Sequence, residues 1–208
     1  MLTASVLGPF LIAVVVICVA PGPDMAFVMA SGLSRGRRGA LLAATGVSAG
    51  VTVWVLITAF GLGTLVTELP EISTGLRVAG ACYLAYLAWD TWRSAGKHAE
   101  DNAGDYGQRM FWRGTMTNLA NPKMALFFTA FLPQFVDADN GSVILQFVVL
   151  GLIMQAVGWI VDAVVGVAAG GARDLLGRRP GIRTNLDRAA GGVFAALAIA
   201  VVIELMIT

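Results

Sequence analysis

The sequence predicts an all-α membrane protein whose six transmembrane helices form two inverted three-helix repeats. The first observation is composition: hydrophobic residues make up 57% of the 208 residues and charged residues 13%, with a mean hydropathy of +0.77. The second is the grouping of apolar residues into blocks close to the ~20 residues that a membrane-spanning helix needs. The third is a similarity between the two halves of the chain. The six blocks lie at about 5–30, 40–66, 74–93, 114–135, 143–170 and 188–207.

The first block contains the apolar run "VLGPFLIAVVVICVA" at 6–20. A run at this place could also be a cleaved signal peptide. No Lys or Arg precedes it, so the positively charged segment of a signal peptide is missing. We therefore interpret the run as part of the first transmembrane helix.

The positive charges indicate the topology. Most of the 14 Lys and Arg residues lie within 35–38, 93–113 and 173–188, which separate helices one and two, three and four, and five and six. The loops on the other side carry acidic residues such as Glu68 and Asp137. By the positive-inside rule the basic loops are cytoplasmic, so both termini face outward. The net charge of +1 gives no indication of a nucleic-acid partner.

The two halves of the chain match in three places, in the same order. Because each copy has three helices, which is an odd number, the copies must be oppositely oriented in the bilayer. Inverted repeats with discontinuous helices are typical of secondary transporters, whose substrate site lies near the midplane where the repeats meet. The matched pairs are "PDMAF" (23–27) with "PKMAL" (122–126), "GVSAGVTVWVLITAFG" (46–61) with "GLIMQAVGWIVDAVVG" (151–166), and "RVAGACYLA" (77–85) with "RAAGGVFAA" (188–196).

These matches divide the chain into three parts of one transmembrane domain. Residues 1–94 form the first three-helix repeat, and residues 113–208 form the second, inverted one. Between them, residues 95–112 ("AGKHAEDNAGDYGQRMFW") are polar and predict a cytoplasmic linker.

Helices one and four are predicted to be broken. Pro21 and Pro23 each lack an N–H and clash with the preceding turn, and Gly22 adds conformational freedom between them. The stretch "NLANPKMAL" repeats the arrangement in helix four with Asn121 and Pro122. In hydrocarbon an unpaired backbone group is costly, so such breaks are tolerated only where the backbone faces protein or a water-filled cavity. We therefore expect a half-helix on either side of each break.

Asp24 and Lys123 occupy equivalent positions after the two breaks, and each would cost ~2.5–3.5 kcal/mol at the bilayer centre. We interpret them as a site for a small zwitterionic substrate. Lys123 and the half-helix N-termini suit a carboxylate, and Asp24 suits an ammonium. The alternative is structural: Asp24 caps a half-helix, and the two charges pair with each other. The predicted substrate-binding residues are Pro21, Gly22, Pro23, Asp24, Asn118, Asn121, Pro122 and Lys123.

Asp162 is the third charge at membrane depth, mid-way along helix five. Its mate in the repeat is Ile57, so the duplication does not require a carboxylate there. Asp162 is a candidate proton carrier, as is Asp24; the alternative is a fixed counter-ion for Lys123 or for a loop arginine. Both interpretations stay open.

Three more residues at membrane depth are candidates for lining a cavity. They are Trp54, Gln155 and Trp159. Gln155 either lines the cavity or bridges two helices. The two tryptophans lie near mid-helix rather than in the interfacial belt that Trp prefers, so they either wall the cavity or fill a packed core.

Two stretches carry a resemblance to a known family: "APGPDMAFVMASGLSRGRRGAL" in helix one and its basic loop, and "NLANPKMALFF" in helix four. With these, the chain resembles the LysE/RhtB family of amino-acid exporters (lysine exporter, and homoserine/threonine resistance). The resemblance implies six helices in the cytoplasmic membrane and efflux of amino acids or close derivatives, driven by proton antiport. The motif positions of the family fall on Pro21, Gly22, Pro23, Asp24, Asn121, Pro122 and Lys123.

Other function classes have less support in the residues. A metal-ion exporter would need several carboxylate, His or Cys ligands around the cavity, and only Asp24 and Asp162 qualify. A membrane thiol-disulfide electron carrier would use a cysteine pair beside the breaks, but helix four has no cysteine to match Cys18. No His or Ser–Lys arrangement lies at membrane depth, so we predict a transporter rather than an enzyme.

The sequence predicts no catalytic residue, no cofactor and no bound metal. The expected partners are a small zwitterionic substrate, the lipid bilayer and protons as the coupling ion. Few buried acids are present beyond Asp24 and Asp162, which favours a neutral amino acid over lysine. The sequence leaves open whether the chain forms a homo-oligomer.

Overall fold

The structure is a computed structural model. Its described residues are helical and contain no strand. Much of predicted helices three and six, with the third pair of matched segments and the beginning of the linker, lies outside the described residues. The residues that the structure describes are 4–61, 103–137 and 141–176, with individual positions among 78–93, at 139 and among 184–206.

The described elements follow one another as long helices joined by short interruptions. Two helices, Pro23–Ala59 and Val143–Arg173, are long and apolar enough to cross a membrane by length and composition, and Val6–Val19 is a shorter apolar one. In chain order the elements are α1 (Ala4–Val19), α2 (Pro23–Ala59), α3 (Ala103–Leu119), α4 (Pro122–Leu126), a π-helical turn (Phe127–Phe131), a 3-10 turn (Leu132–Phe135) and α5 (Val143–Leu176).

The predicted loop between helices one and two is a single interrupted position within α2. Gly36 has φ 75° and ψ −172°, and the residues on either side are helical. A positive φ of this kind is open to glycine at no steric cost. The linker differs in a similar way, because α3 begins at Ala103, inside the segment predicted as a polar loop.

The helix α2 lies between α3 and α5, and glycines let the backbones meet. A Cβ added to Gly114 on α3 would lie 2.5 Å from the Ala43 carbonyl oxygen. A Cβ added to Gly166 on α5 would lie 2.5 Å from Val28 Cγ1. Small residues at such crossings are typical of membrane helices, where close van der Waals packing and interhelical hydrogen bonds drive association. Thr115 adds such a bond by donating to the Gly46 carbonyl at 3.0 Å.

An aromatic cluster fixes the segment after α4 against α1. The rings of Phe127 and Phe131 are 5.5 Å apart, and those of Phe131 and Phe135 are 5.1 Å apart. Phe10 of α1, fully buried, meets Phe135 edge-on at 5.2 Å. These contacts hold α1 beside α4, so the interruption that follows α1 and the one that precedes α4 are neighbours.

Candidate functional site

The first interruption leaves helix-end carbonyl groups without partners in their own helix. The helix α1 ends at Val19, where Ala20 still donates to the Val16 carbonyl at 3.0 Å. Gly22 is extended (φ −165°, ψ −177°), provides no side-chain cap, and leads into α2 at Pro23. The last carbonyls of any α-helix lack intrahelical donors, so those of α1 need partners from elsewhere.

The second interruption has its own cap. The Asn121 side-chain oxygen accepts from the Lys123 backbone N–H at 3.0 Å, which is the N-cap arrangement. Pro122 takes the first helical position, where its missing N–H costs nothing. Asn121 also donates from its backbone to the Asn118 carbonyl at 3.0 Å, closing the end of α3.

The Lys123 side chain crosses from the second interruption to the first. Its ammonium donates to the Ala20 carbonyl at 2.9 Å and to the Ile17 carbonyl at 3.2 Å. Gly22 makes room for it, because a Cβ there would lie 3.1 Å from Lys123 Nζ. The ammonium therefore caps the carboxyl end of α1, where the helix dipole is negative.

Asp24 is held by the asparagines of the second interruption. Its carboxylate is 6% exposed, and its Oδ2 accepts from Asn118 Nδ2 at 2.8 Å. Asn121 is also fully buried and interacts with the same carboxylate. Even so, Asn121 Nδ2 and Asp24 Oδ1 are left without a hydrogen-bond partner of good geometry. Lys123 interacts with Asp24 electrostatically, while its hydrogen bonds go to the α1 carbonyls.

A cavity lies where these groups meet, with about 420 Å³ of empty space that includes its open mouth. Its lining brings together charges and amides from α2, α3, α4 and α5. The polar part of the lining is Asp24, Ser48, Asn118, Lys123, Gln155 and Asp162. Among the residues predicted from the sequence, the structure thus places both acids, the lysine, one asparagine and the glutamine around one space.

Asp162 lies in the wall that α5 contributes and is 7% exposed. Its charge interacts with those of Asp24 and Lys123 across the cavity. It therefore belongs to the same electrostatic cluster as the two interruptions, and its role stays a prediction.

The remaining candidates lie in different surroundings. Gln155 lines the cavity and also bridges two helices, donating to Ser48 Oγ at 2.9 Å and to Thr52 Oγ1 at 3.0 Å. Trp159 also lines the cavity. Trp54 is 3% exposed and stacks on Phe128 with ring centroids 6.3 Å apart.

The sequence did not single out the apolar part of the lining. It is formed by Cys18, Met25, Val47, Val51, Met124 and Met154. Met25 and Met124 follow Asp24 and Lys123 directly and are mates in the matched "PDM" and "PKM" segments, so the repeat could have identified them. Cys18 is a free thiol that contacts Met154, with the two sulfurs 3.6 Å apart.

Comparison with known proteins gives a consistent result across most of the chain. The model of the family described as LysE type translocator matches residues 15–205. A leucine efflux protein of Salmonella choleraesuis is 31% identical over 152 residues, which cover 71% of each chain. An uncharacterized membrane protein of Pseudomonas aeruginosa is 33% identical over 155 residues, covering 71% of this chain and 72% of its own. No solved structure matches.

Proposed function

Because the chain belongs to the LysE type translocator family, we propose that it exports amino acids or close derivatives across the cytoplasmic membrane. Membership of a translocator family makes it a membrane transporter rather than an enzyme. We further propose that 1–94 and 113–208 are inverted repeats joined by 95–112, with both termini outside. In that arrangement the interruptions at 20–22 and 120–121 are the breaks that face each other at the substrate site.

The observation that carries the proposal is the convergence of opposite charges on one cavity. Asp24 and Lys123 lie at the two interruptions, and both line the same space. A free amino acid carries one ammonium and one carboxylate, so it complements a site that presents an acid, a base and helix-end carbonyls. A substrate with a single charge would leave one side of this site uncompensated.

The apolar part of the lining supports a neutral side chain. Met25, Met124 and Met154 present flexible, polarizable thioethers, which adapt to apolar groups of different shape. Val47 and Val51 complete an apolar wall. These side chains offer no carboxylate to a cationic substrate side chain. Together with the leucine efflux protein among the relatives, this favours a neutral aliphatic amino acid such as leucine.

We propose that proton influx drives export and that Asp162 carries the proton. One proton moving down the membrane potential supplies ~2.3 kcal/mol per 100 mV. A tenfold gradient of a neutral solute costs ~1.4 kcal/mol, so one or two protons suffice. Asp162 is buried in the cavity wall and interacts with both Asp24 and Lys123. Its protonation state would therefore be felt at the substrate site.

Efflux from leucine-loaded vesicles containing the purified protein tests the proposal. Leucine should leave faster than from protein-free vesicles, and faster still when the outer pH is lowered, since protons then flow inward in exchange. Asp162→Asn should remove the dependence on outer pH. If neither leucine nor another neutral amino acid leaves faster than from protein-free vesicles, the export proposal fails. If export persists in Asp162→Asn with its pH dependence intact, only the role of Asp162 fails.

A further inference from the structure

The carboxyl end of α1 already holds a primary ammonium group, that of Lys123. Its carbonyls at Ile17 and Ala20 accept from Lys123 Nζ at 3.2 and 2.9 Å. An ammonium offers three N–H donors to such a helix end, and its charge complements the negative end of the dipole. The substrate of the proposed function carries the same chemical group.

The position that Lys123 Nζ occupies beside the Ile17 and Ala20 carbonyls, called the ammonium seat below, also suits a small cation in shape. Gly22 borders it without a side chain, and a Cβ there would lie 3.4 Å from Lys123 Cε as well as 3.1 Å from Nζ. The seat is next to the cavity, because Cys18 and Lys123 both belong to the lining. Asp24 lines the same cavity, is 6% exposed, and has its Oδ1 without a hydrogen-bond partner. A substrate ammonium would give this oxygen the well-aligned donor that Asn121, which also interacts with the carboxylate, does not supply.

We propose that the substrate binds by exchanging partners with Lys123. The substrate ammonium displaces Lys123 Nζ from the carbonyls of Ile17 and Ala20, and the released Lys123 ammonium pairs with the substrate carboxylate. The inference rests on the proposed function, because it takes the substrate to be an amino acid. It assigns the amino-group subsite to the end of α1, with Lys123 as a tethered occupant.

The exchange makes the site selective for molecules that carry both groups. An amine without a carboxylate would displace Lys123 from the α1 carbonyls and offer its ammonium no new acceptor, so the hydrogen bonds that Lys123 loses would not be replaced. A carboxylate without an ammonium would draw Lys123 away and leave the α1 carbonyls without donors. Only a zwitterion supplies both an ammonium for the α1 carbonyls and a carboxylate for the displaced Lys123.

Binding of three related probes to the detergent-solubilised protein tests the exchange. The probes are leucine, isoamylamine, which is leucine without its carboxylate, and isocaproate, which is leucine without its ammonium. The wild-type protein should bind leucine at least about tenfold more tightly than either analogue, as measured by calorimetry. In Lys123→Met the tethered competitor is gone. Isoamylamine should then bind about tenfold more tightly than to the wild type, because it no longer has to displace the charge-assisted hydrogen bonds of Lys123.

The opposite result has an equally clear meaning. If Lys123 only attracts carboxylates, Lys123→Met weakens leucine and isocaproate and leaves isoamylamine unchanged, which overturns the exchange. Lys97→Met removes the other lysine of the chain and should change none of the affinities. If Lys123→Met does not fold, Lys123→Gln keeps donors without the charge and should tighten isoamylamine less. The wild-type probes test the requirement for both groups without any variant. Export of leucine by the wild type is measured separately, so a failure of the exchange is distinguishable from a failure of the proposed function.

Discussion

The two interruptions differ in how their helix ends are capped. At residues 20–22 the glycine is extended and no side chain caps the helix that follows, while the α1 carbonyls accept from Lys123, which is distant in sequence. At residues 120–121 the Asn121 side chain caps the following helix locally. The two interruptions come from matched segments, "PDMAF" and "PKMAL". They are nevertheless stabilised in different ways: the second interruption by its own Asn121 cap, and the first by Lys123 from the second.

The difference indicates which interruption responds to a ligand. Asn118 and Lys123 reach from the second interruption to Asp24 and to the end of α1. The first interruption therefore depends on side chains from the second, of which the proposed exchange would displace Lys123, while the Asn121 cap is made within the second interruption itself. We expect changes at the first interruption to affect export most, and changes at the second to affect stability more.

The largest effect is expected from Asp24→Asn. The amide oxygen can still accept from Asn118, so the change removes the charge and little else. The variant would lose the charge interaction between Asp24 and the ammonium of the proposed substrate. Leucine export from loaded vesicles should therefore fall about a hundredfold or more, since losing one partner of a buried charge pair costs ~2–5 kcal/mol. Asp139→Asn, at an exposed position, is the matched control. Export within twofold of wild type in Asp24→Asn would remove Asp24 from the site.

The next largest effect is expected from Gly22→Ala. The added Cβ would lie 3.1 Å from Lys123 Nζ and crowd the ammonium seat at the end of α1. We expect leucine export to fall about tenfold, which corresponds to ~1.4 kcal/mol. Gly8→Ala on α1 is the control, because a Cβ there meets nothing within 4 Å. Equal export rates in the two variants would show that close approach at Gly22 has no role.

A smaller effect, on stability, is expected from Asn121→Ala at the second interruption. Loss of the N-cap should lower the free energy of unfolding by ~1 kcal/mol. Thermal unfolding in detergent measures it, and Asn121→Ser, which keeps a capping oxygen, should recover part of the loss. An unchanged midpoint in Asn121→Ala would mean that the second interruption is not held by its own cap.

The smallest effect is expected away from both interruptions, at Gln155→Met. Its bonds to Ser48 and Thr52 join two helices, and such bonds average ~0.6 kcal/mol in a membrane bundle. The bond to Thr52 is exposed and contributes little, so the loss is close to that of one bond and the unfolding midpoint in detergent should shift less than in Asn121→Ala. A larger shift would place a main stabilising contact outside the two interruptions.

The sequence predicted the helical class and the positions of the polar groups better than their partners. Proline and glycine restrict the backbone locally, so the stretches around Pro21 and Pro122 could be recognised from composition alone. The alternative interpretation, in which Lys123 pairs with Asp24, rested on opposite charge. The structure instead joins Lys123 to backbone carbonyls and Asp24 to Asn118. Helix-end carbonyls are present in every sequence, so no residue pattern marks the one that a lysine will reach.

The basic segment 35–38 shows a second limit of sequence interpretation. The gap between two apolar blocks and its basic residues predicted a loop there, whereas one residue at positive φ, Gly36, is enough to interrupt α2. The apolar lining was missed for another reason. Val47 and Met154 look like ordinary membrane-helix residues, and only the packing of α2 against α5 brings them to one cavity.

The π-helical turn and the 3-10 turn after α4 determine how a deletion in this segment would affect its aromatic contacts. A π-helical turn uses more residues than an α-turn, and the 3-10 turn that follows uses fewer. The surplus and the deficit offset each other, so Phe127, Phe131 and Phe135 remain in one column of neighbouring rings, in which Phe127 and Phe135 also meet Phe10. A one-residue deletion between Phe127 and Phe131 would rotate the lower rings out of that column while leaving Lys123 in phase. The segment thus uncouples the angular positions of the phenylalanines around the helix axis from those of the polar residues that precede them in the chain.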